Sequence, residues 1–239
     1  MQNAAESGAA LAILIDADNA NPAIVKGLID EVARLGRATI RRIYGDWTKP
    51  NLGSWKDVLL DHSITPIQQF AYTKGKNATD STMIIDAMDL LYADNVDGFC
   101  LVSSDSDFTR LASRLRESGK RVYGFGEKKT PQPFVAACDR FIYTEVFTRV
   151  EGQAPNRRAA AELDKDREFL DLVGGAVDDA TDESGWAHLG EVGNILTKKR
   201  PDFDSRNYGY SKLSDLLDAS QRFEVRRSDK IVTVRRAKT

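Results

Sequence analysis

A short apolar stretch near the N-terminus decides the fold, and it has the sequence LAILIDADNA at residues 11–20. The segment 11–15 is apolar at every position, which is typical of a strand buried on both faces in a parallel sheet covered by helices. Asp16 follows directly, at the predicted carboxyl end of that strand. Because ligands of open α/β sheets bind outside the carboxyl ends of the strands, we expect Asp16 to lie at a functional edge.

Strand-like and helix-like segments alternate from residue 9 to residue 147. Asn21 and Pro22 predict a helix start after the first strand, with asparagine as the cap and proline at the first helical position. Successive strand and helix units favour a parallel sheet with helices on both faces. The predicted fold class is therefore α/β with a mostly parallel central sheet. The further predicted strands are 39–44, 63–70, 98–103 and 121–125, and the longer predicted helices are 79–92 and 108–118.

Composition limits the classes of function that need to be considered. The chain has 239 residues, of which 41% are apolar, so it can bury two cores. No signal peptide or membrane span is expected, because Asp16 interrupts the longest N-terminal apolar stretch, and we expect a cytoplasmic protein without a membrane partner. Cys100 and Cys138 lie in apolar surroundings typical of buried, reduced thiols. With only His62 and His188 present, catalysis must depend on carboxylates.

Acidic residues follow the predicted strands at several points. Asp105 and Asp107 come after the fourth strand in LVSSDSDF (residues 101–108), and Asp80 lies in the first turn of the helix after the third strand. Together with Asp16, these residues are expected to converge at one sheet edge. Clustered carboxylates repel one another unless cations neutralise them, and oxygen ligands without Cys or His favour Mg²⁺ or Mn²⁺. The sequence therefore predicts a metal centre.

Each acidic residue also has a purely structural explanation. Asp80 is explained equally well as an acid that interacts favourably with a helix dipole, and Asp105 as a helix cap. Asp86 lies about 240° around the same helix from Asp80, so we expect it to point away from the cleft and to be solvated. Only the convergence of several acids at one edge favours a functional site.

Three motifs in the first part of the chain occur in a fixed order. They are ILIDADN at residues 13–19, GKNATDSTMIIDAMDLL at residues 75–91 and GFCLVSSDSDFTRLASRLRESGKRVYGFG at residues 98–126. Over residues 9–147 these motifs resemble the NYN domain of the PIN-like ribonuclease superfamily. The resemblance implies a three-layer fold and a metal-dependent nuclease whose catalytic and metal-binding residues are Asp16, Asp80, Asp105 and Asp107. It also implies that Asn19 is a supporting polar residue, and we consider Lys74 and Lys76 as phosphate contacts.

The second part of the chain differs in character. Residues 148–161 are polar and lack apolar periodicity, which predicts a linker. Three helical segments follow, and then a segment in which apolar and basic residues alternate as in a two-stranded wing. Residues 162–239 therefore predict a small winged helix-turn-helix domain. Its motifs GWAHLGEVGNIL, KKRPDFDSRNYGYSKLSDLL and FEVRRSDKIVTVRR resemble the OST-HTH/LOTUS domain, which implies RNA binding or protein docking.

The charge of this second part is unevenly distributed. Residues 195–239 contain 12 Lys and Arg against 6 Asp and Glu, whereas residues 162–194 contain 2 against 10. This distribution agrees with a polyanion partner, although a charge run is usually only a solvated face. We expect RNA, single-stranded or structured, as the partner, and a protein partner for this domain remains an alternative. The candidate RNA contacts are Lys198, Lys199, Arg200, Lys212, Arg226, Arg227 and Arg235.

Two other functions are compatible with the motifs. IDADN also resembles the Asp-x-Asp motif of HAD-like phosphatases, in which Asp16 would be phosphorylated and Asp18 would act as general acid. Against this, Ala20 replaces the usual Thr or Val, and no convincing Ser/Thr and Lys motifs follow. The other alternative is a catalytically inactive RNA-binding or adaptor protein.

Overall fold

The computed structural model describes residues 8–70, 78–148, 157–228 and 231–237. The chain divides into two compact units, Met1–Arg149 and Val150–Thr239. Within the described ranges, no helix is both long enough and apolar enough to cross a membrane.

The first unit is built on a six-stranded sheet in which every neighbouring pair is parallel. The strand order is β3-β2-β1-β4-β5-β6. The order therefore reverses between β1 and β4, and such a reversal opens a crevice at the carboxyl ends of the two strands. The predicted α/β class is confirmed. The strands are β1 (Ala10–Asp16), β2 (Arg37–Gly45), β3 (Thr65–Gln68), β4 (Gly98–Val102), β5 (Arg121–Gly126) and β6 (Arg140–Tyr143).

Helices cover both faces of this sheet. Successive residues of β1 point to opposite faces, so Ala12 and Leu14 pack in one core while Leu11, Ile13 and Ile15 pack in the other. All five side chains are fully buried, and burial of each large one contributes about 1.5–3 kcal/mol. Residues of α3, α4 and α5 complete the first core, and residues of α1 and α2 complete the second. The helices are α1 (Val25–Leu35), α2 (Lys56–Asp61), α3 (Ala78–Ala93), α4 (Thr109–Glu117) and α5 (Gln132–Ala137).

Both cysteines belong to the cores of this unit. Cys100 on β4 and Cys138 after α5 are free and buried. Burial raises the pKa of the Cys138 thiol to about 12, so the side chain stays protonated. The expectation of buried, reduced thiols is confirmed.

The second unit combines helices with a small antiparallel sheet of order β7-β9-β8. The predicted three helices and hairpin are present, and the structure adds the short helix α6 and the short strand β7. The hairpin turn was predicted at Ser228 and Asp229, of which Asp229 lies outside the described residues. Tyr210 is buried, and Phe203 and Tyr208 pack against the same core. The elements are α6 (Ala160–Leu163), α7 (Arg167–Ala180), β7 (Ala187–His188), α8 (Leu189–Lys199), α9 (Leu213–Ala219), β8 (Phe223–Ser228) and β9 (Ile231–Arg236).

Candidate active site

The carboxylate of Asp16 is held at the carboxyl end of β1 by three hydrogen bonds. The Ser103 hydroxyl and the Asn19 side-chain amide donate to Oδ2 at 2.9 and 2.8 Å, and the backbone N–H of Asp18 donates to Oδ1 at 3.0 Å. Asp16 is fully buried, and this burial raises its pKa while the hydrogen bonds oppose the rise. The side chain is therefore fixed in one orientation within the crevice between β1 and β4.

Three more carboxylates meet at this edge. Asp80 lies in the first turn of α3, and Asp105 and Asp107 lie in the loop and 3₁₀ turn that follow β4. One oxygen from each of the three lies within 4.8 Å of the others. The Asp105 carboxylate also accepts the backbone N–H of Asp107 at 3.0 Å, so it caps the 3₁₀ turn as well. Asp105 therefore both caps the 3₁₀ turn and belongs to the acidic cluster.

The electrostatics of the cluster are unfavourable for the protein alone. The pKa of Asp80 is raised to about 6, first by burial and then by the negative charges of Asp16, Asp105, Asp107 and Asp18. Within the described ranges, no Lys or Arg forms an ion pair with Asp16, Asp80 or Asp105. Closely spaced carboxylate oxygens without imidazole or thiolate neighbours suit a hard divalent cation, and the donor set therefore fits Mg²⁺ or Mn²⁺.

Sequence reasoning did not assign three polar residues, Ser103, Asp18 and Thr79, to the nuclease site. Ser103 donates to Asp16, and its hydroxyl also accepts the backbone N–H of Asp105 at 3.1 Å, so it links two of the acidic residues. Asp18 contributes negative charge to the site, and its carboxylate accepts the Thr79 hydroxyl at 3.2 Å. The Asp-x-Asp spacing of Asp16 and Asp18 was a usable signal, but it entered only the phosphatase alternative.

The sequence also led to expectations for Asp86 and for Lys74 and Lys76. Asp86 is not a solvated residue, because its carboxylate accepts hydrogen bonds from Arg42 and Tyr44 of β2. Because these hydrogen bonds join α3 to β2, we assign Asp86 a structural role. Lys74 and Lys76, which we considered as phosphate contacts, lie outside the described residues.

Most of the candidate basic residues in the second unit are already paired with acids. Arg200 contacts Glu168 at 2.6 Å, Arg227 contacts Asp218 at 3.0 Å and Arg235 contacts Glu224 at 2.5 Å. Lys199 is paired with Asp179 in the same way. The remaining candidates, Lys198, Lys212 and Arg226, form no ion pair within the part of the unit that the structure describes.

Asp16, Asp80, Asp105 and Asp107 form what we call the acidic edge of the sheet. The fold and this edge define a class of α/β domain that presents clustered carboxylates at the strand ends. The NYN domain family matches residues 10–145, and the chain belongs to this family. An OST-HTH/LOTUS domain follows at residues 165–234. Together the two domains support a ribonuclease or RNA-binding role with RNA as a partner.

Solved structures show similarity to this chain. A protein of unknown function from Vibrio parahaemolyticus is 20% identical, with a TM-score of 0.50, over 59% of this chain and 94% of that chain, which supports the fold alone. An uncharacterized protein from Nitrosomonas europaea is 35% identical over 38% of this chain and 88% of that chain, with a TM-score of 0.29. No curated protein matches the chain.

Proposed function

We propose that the protein is a metal-dependent ribonuclease that hydrolyses RNA phosphodiester bonds at the cluster of Asp16, Asp80, Asp105 and Asp107. The observation that carries the proposal is the approach of three carboxylates to within 4.8 Å at the carboxyl edge of the sheet. Such an arrangement is costly unless a cation occupies it, and the raised pKa of Asp80 reflects that cost.

The acidic residues take different roles in this mechanism. Asp80 and Asp105 would supply oxygens to Mg²⁺ or Mn²⁺, and Asp16 would hold the ion directly or through a water. Asp107 would be a further ligand or would orient the attacking water. The ion, when bound, lowers the pKa of a water and offsets the charge that develops on the phosphate. Asn19 and Ser103 hold Asp16 in position, since both donate to its Oδ2. Attack by water without a ribose nucleophile leaves 5′-phosphate and 3′-hydroxyl ends.

We assign the nuclease and RNA-binding roles to two different domains. Residues 9–147 form the nuclease domain, residues 148–161 a linker and residues 162–239 an RNA-binding domain. The support for RNA binding by the last segment is its winged-helix architecture and the basic residues Lys198, Lys212 and Arg226, whose charges are available to phosphates.

The sequence around Asp16 argues against a phosphatase. Ala20 stands where HAD-like phosphatases usually have Thr or Val, and no convincing Ser/Thr and Lys motifs follow. An adaptor without activity remains an outcome of the experiment described next.

Cleavage of labelled RNA tests the proposal. Single-stranded and structured RNAs carrying a 5′ label are incubated with the protein and Mn²⁺ or Mg²⁺, with and without EDTA. We expect cleavage that EDTA abolishes and that Asp105→Asn removes, while Asp89→Asn, on the exposed side of α3, leaves it unchanged. The same protein incubated with a phosphomonoester is then examined for phosphate bound to Asp16. Absence of cleavage with either metal indicates an adaptor, and an aspartyl-phosphate indicates a phosphatase.

A further inference from the structure

Two arginines form a basic stripe on α4, the helix that follows the acidic edge along the chain. Arg110 and Arg114 are both exposed, and they lie four residues apart, so they project from the same side of the helix. Neither forms an ion pair with the described residues of the first unit. We call these two residues the α4 stripe. Their positive charges are available to an anionic ligand.

The α4 stripe begins close to the carboxylates of the acidic edge. Asp105 caps the 3₁₀ turn that contains Asp107, and α4 begins at Thr109, directly after this turn. Arg110 therefore lies only three residues beyond Asp107. From there α4 runs back towards the amino end of β5, and Arg114 lies about 6 Å further along the helix axis, at 1.5 Å per residue.

Contacts with the neighbouring elements show which flank of α4 carries the stripe. In the sheet order, α3 packs on β1 and β2 and α5 packs beside β6, so α4 lies between these two helices. Arg116 faces α5, since its guanidinium donates to the Ala137 carbonyl oxygen at 3.3 Å and contacts the Asp139 carboxylate at 3.2 Å. At 100° per residue, Arg110 and Arg114 lie about 120° and 160° around the helix from Arg116. The stripe is therefore on the flank that faces α3, whose first turn contributes to the acidic edge.

The spacing and chemistry of the stripe suit a nucleic-acid strand. A guanidinium group forms paired, charge-assisted hydrogen bonds with phosphate oxygens. The axial separation of Arg110 and Arg114 is similar to that of successive phosphates in a single strand. Glu117 is the next exposed residue on the same side of α4, and its negative charge ends the stripe. The stripe therefore has room for two phosphates.

We propose that the α4 stripe is a phosphate track, which binds two consecutive phosphates of the RNA strand next to the phosphate at the acidic edge. Contacts with phosphates position a strand and carry no sequence information, so the track acts on RNAs of any sequence. It determines that the strand leaves the acidic edge along α4. The inference rests on the proposed nuclease function, because the acidic edge defines which phosphates are neighbours.

The salt dependence of RNA binding tests the track without cleavage. Filter binding of a single-stranded RNA to the full chain is measured at several salt concentrations. Ca²⁺ is present to neutralise the carboxylates, and a gel confirms that the RNA stays intact. We expect Arg110→Gln with Arg114→Gln to reduce the slope of log K against log salt by about 1.4, which corresponds to two lost contacts with a single strand.

The matched control removes two charges from the opposite edge of the sheet. Arg37 and Arg121 are exposed residues that begin β2 and β5, and neither has an ion-pair partner in the part of the first unit that the structure describes. We expect Arg37→Gln with Arg121→Gln to leave the slope unchanged, although this double variant changes the net charge of the protein equally.

A gain of binding provides a test that a folding defect cannot imitate. Glu117→Lys extends the α4 stripe by one basic residue, and a lysine at the end of a helix is compatible with the helix dipole. We expect it to increase the slope by about 0.7, which corresponds to one added contact. Asp30→Lys makes a similar change at an exposed position of α1, on the other face of the sheet, and is expected to leave the slope unchanged.

The same variants, assayed for RNA cleavage with Mn²⁺, separate the track from the proposed nuclease. Slopes that do not change in the stripe variants, or that change equally in the stripe variants and their matched controls, overturn the track, and cleavage by these proteins leaves the nuclease standing. Slope changes confined to the stripe variants support the track. If they occur in a protein that cuts no RNA with Mn²⁺ or Mg²⁺, they support phosphate binding by the stripe and overturn the nuclease.

Discussion

The acidic edge of the first unit and the basic residues of the second unit differ in how their charges are compensated. At the edge, the pKa of Asp80 is raised first by burial and then by the charges of the neighbouring carboxylates. In the second unit, Arg200, Arg227 and Arg235 each contact a carboxylate of their own unit. The sequence composition shows both charge excesses, but only the contacts show which charges are available to a ligand. Uncompensated charge is therefore the better indicator of a binding site.

The largest expected effect is on catalysis, and it tests whether Asp80 at the acidic edge is functional. We expect Asp80→Asn to lower the rate of metal-dependent RNA cleavage by at least about a hundredfold, because the cluster loses a charged oxygen ligand worth several kcal/mol in the transition state. Single-turnover rates with Mn²⁺ measure this. Asp86→Asn is a poor control because Asp86 binds Arg42 and Tyr44, so the exposed Asp30→Asn on α1 is used. Wild-type rates in Asp80→Asn would contradict the proposed site.

The next effect concerns the second unit as a whole. Removal of residues 162–239 is expected to weaken RNA binding by about tenfold or more at 0.1 M salt and to flatten its salt dependence, because fewer counterions are released. Cleavage at saturating RNA is expected to persist. Filter binding at several salt concentrations and single-turnover rates measure the two quantities. Unchanged affinity after the truncation would indicate that this unit binds a protein.

A smaller effect separates available from paired basic residues within that unit. The triple variant Lys198→Gln, Lys212→Gln and Arg226→Gln is expected to reduce the slope of log K against log salt by about 2, which is the expectation for three lost contacts with a single strand. The matched triple variant changes Arg200, Arg227 and Arg235 to glutamine, and we expect it to reduce the slope by less than half as much. If both triple variants change the slope equally, intramolecular pairing does not determine which residues contact RNA.

Sequence reasoning succeeded where the signal is local. The apolar run 11–15 followed by Asp16 predicts a buried strand and its carboxyl end, and the helix start near Asp80 and the serine-aspartate loop at Asp105 are likewise visible in short windows. The convergence of these acids followed from the predicted parallel sheet, since parallel strands share a carboxyl edge. The class of fold and the grouping of the acids were therefore predictable.

The contacts that the sequence did not predict join residues that are far apart in the chain, and they depend on how the strands pair. Ser103 reaches Asp16 because Ile15 is paired with Val102 across β1 and β4, and nothing in the SSDSD segment indicates that register. Arg235 is neutralised because the β8–β9 hairpin places it directly opposite Glu224. Arg236 is paired with Asp178, 58 residues away along the chain. Counting charges cannot anticipate such pairs, so the sequence alone did not separate the paired basic residues from Lys198, Lys212 and Arg226.

The smallest expected effect is on the free energy of unfolding. Its dependence on pH is expected to be opposite in sign to that of an aspartate in an ordinary ion pair. The pKa of Asp80 is raised to about 6 in the folded protein, from an ordinary value of 3.8. The folded state therefore binds a proton more tightly than the unfolded chain, and this contribution to stability is complete below about pH 4 and is lost as the pH rises through about 6. In the metal-free protein, Asp80→Asn should raise the free energy of unfolding at pH 7 by about 1–2 kcal/mol and should have little effect near pH 4.

Urea denaturation in EDTA between pH 4 and 7 measures this stability difference, with Asp30→Asn as the exposed control. Addition of Mn²⁺ should stabilise the wild type at pH 7 more than Asp80→Asn, because an ion that binds only the folded state stabilises it. An Asp80→Asn variant that is less stable than the wild type at pH 7 without metal would mean that a neighbouring cation already compensates the carboxylate. The contrast between the two units would then no longer identify the acidic edge as a metal site.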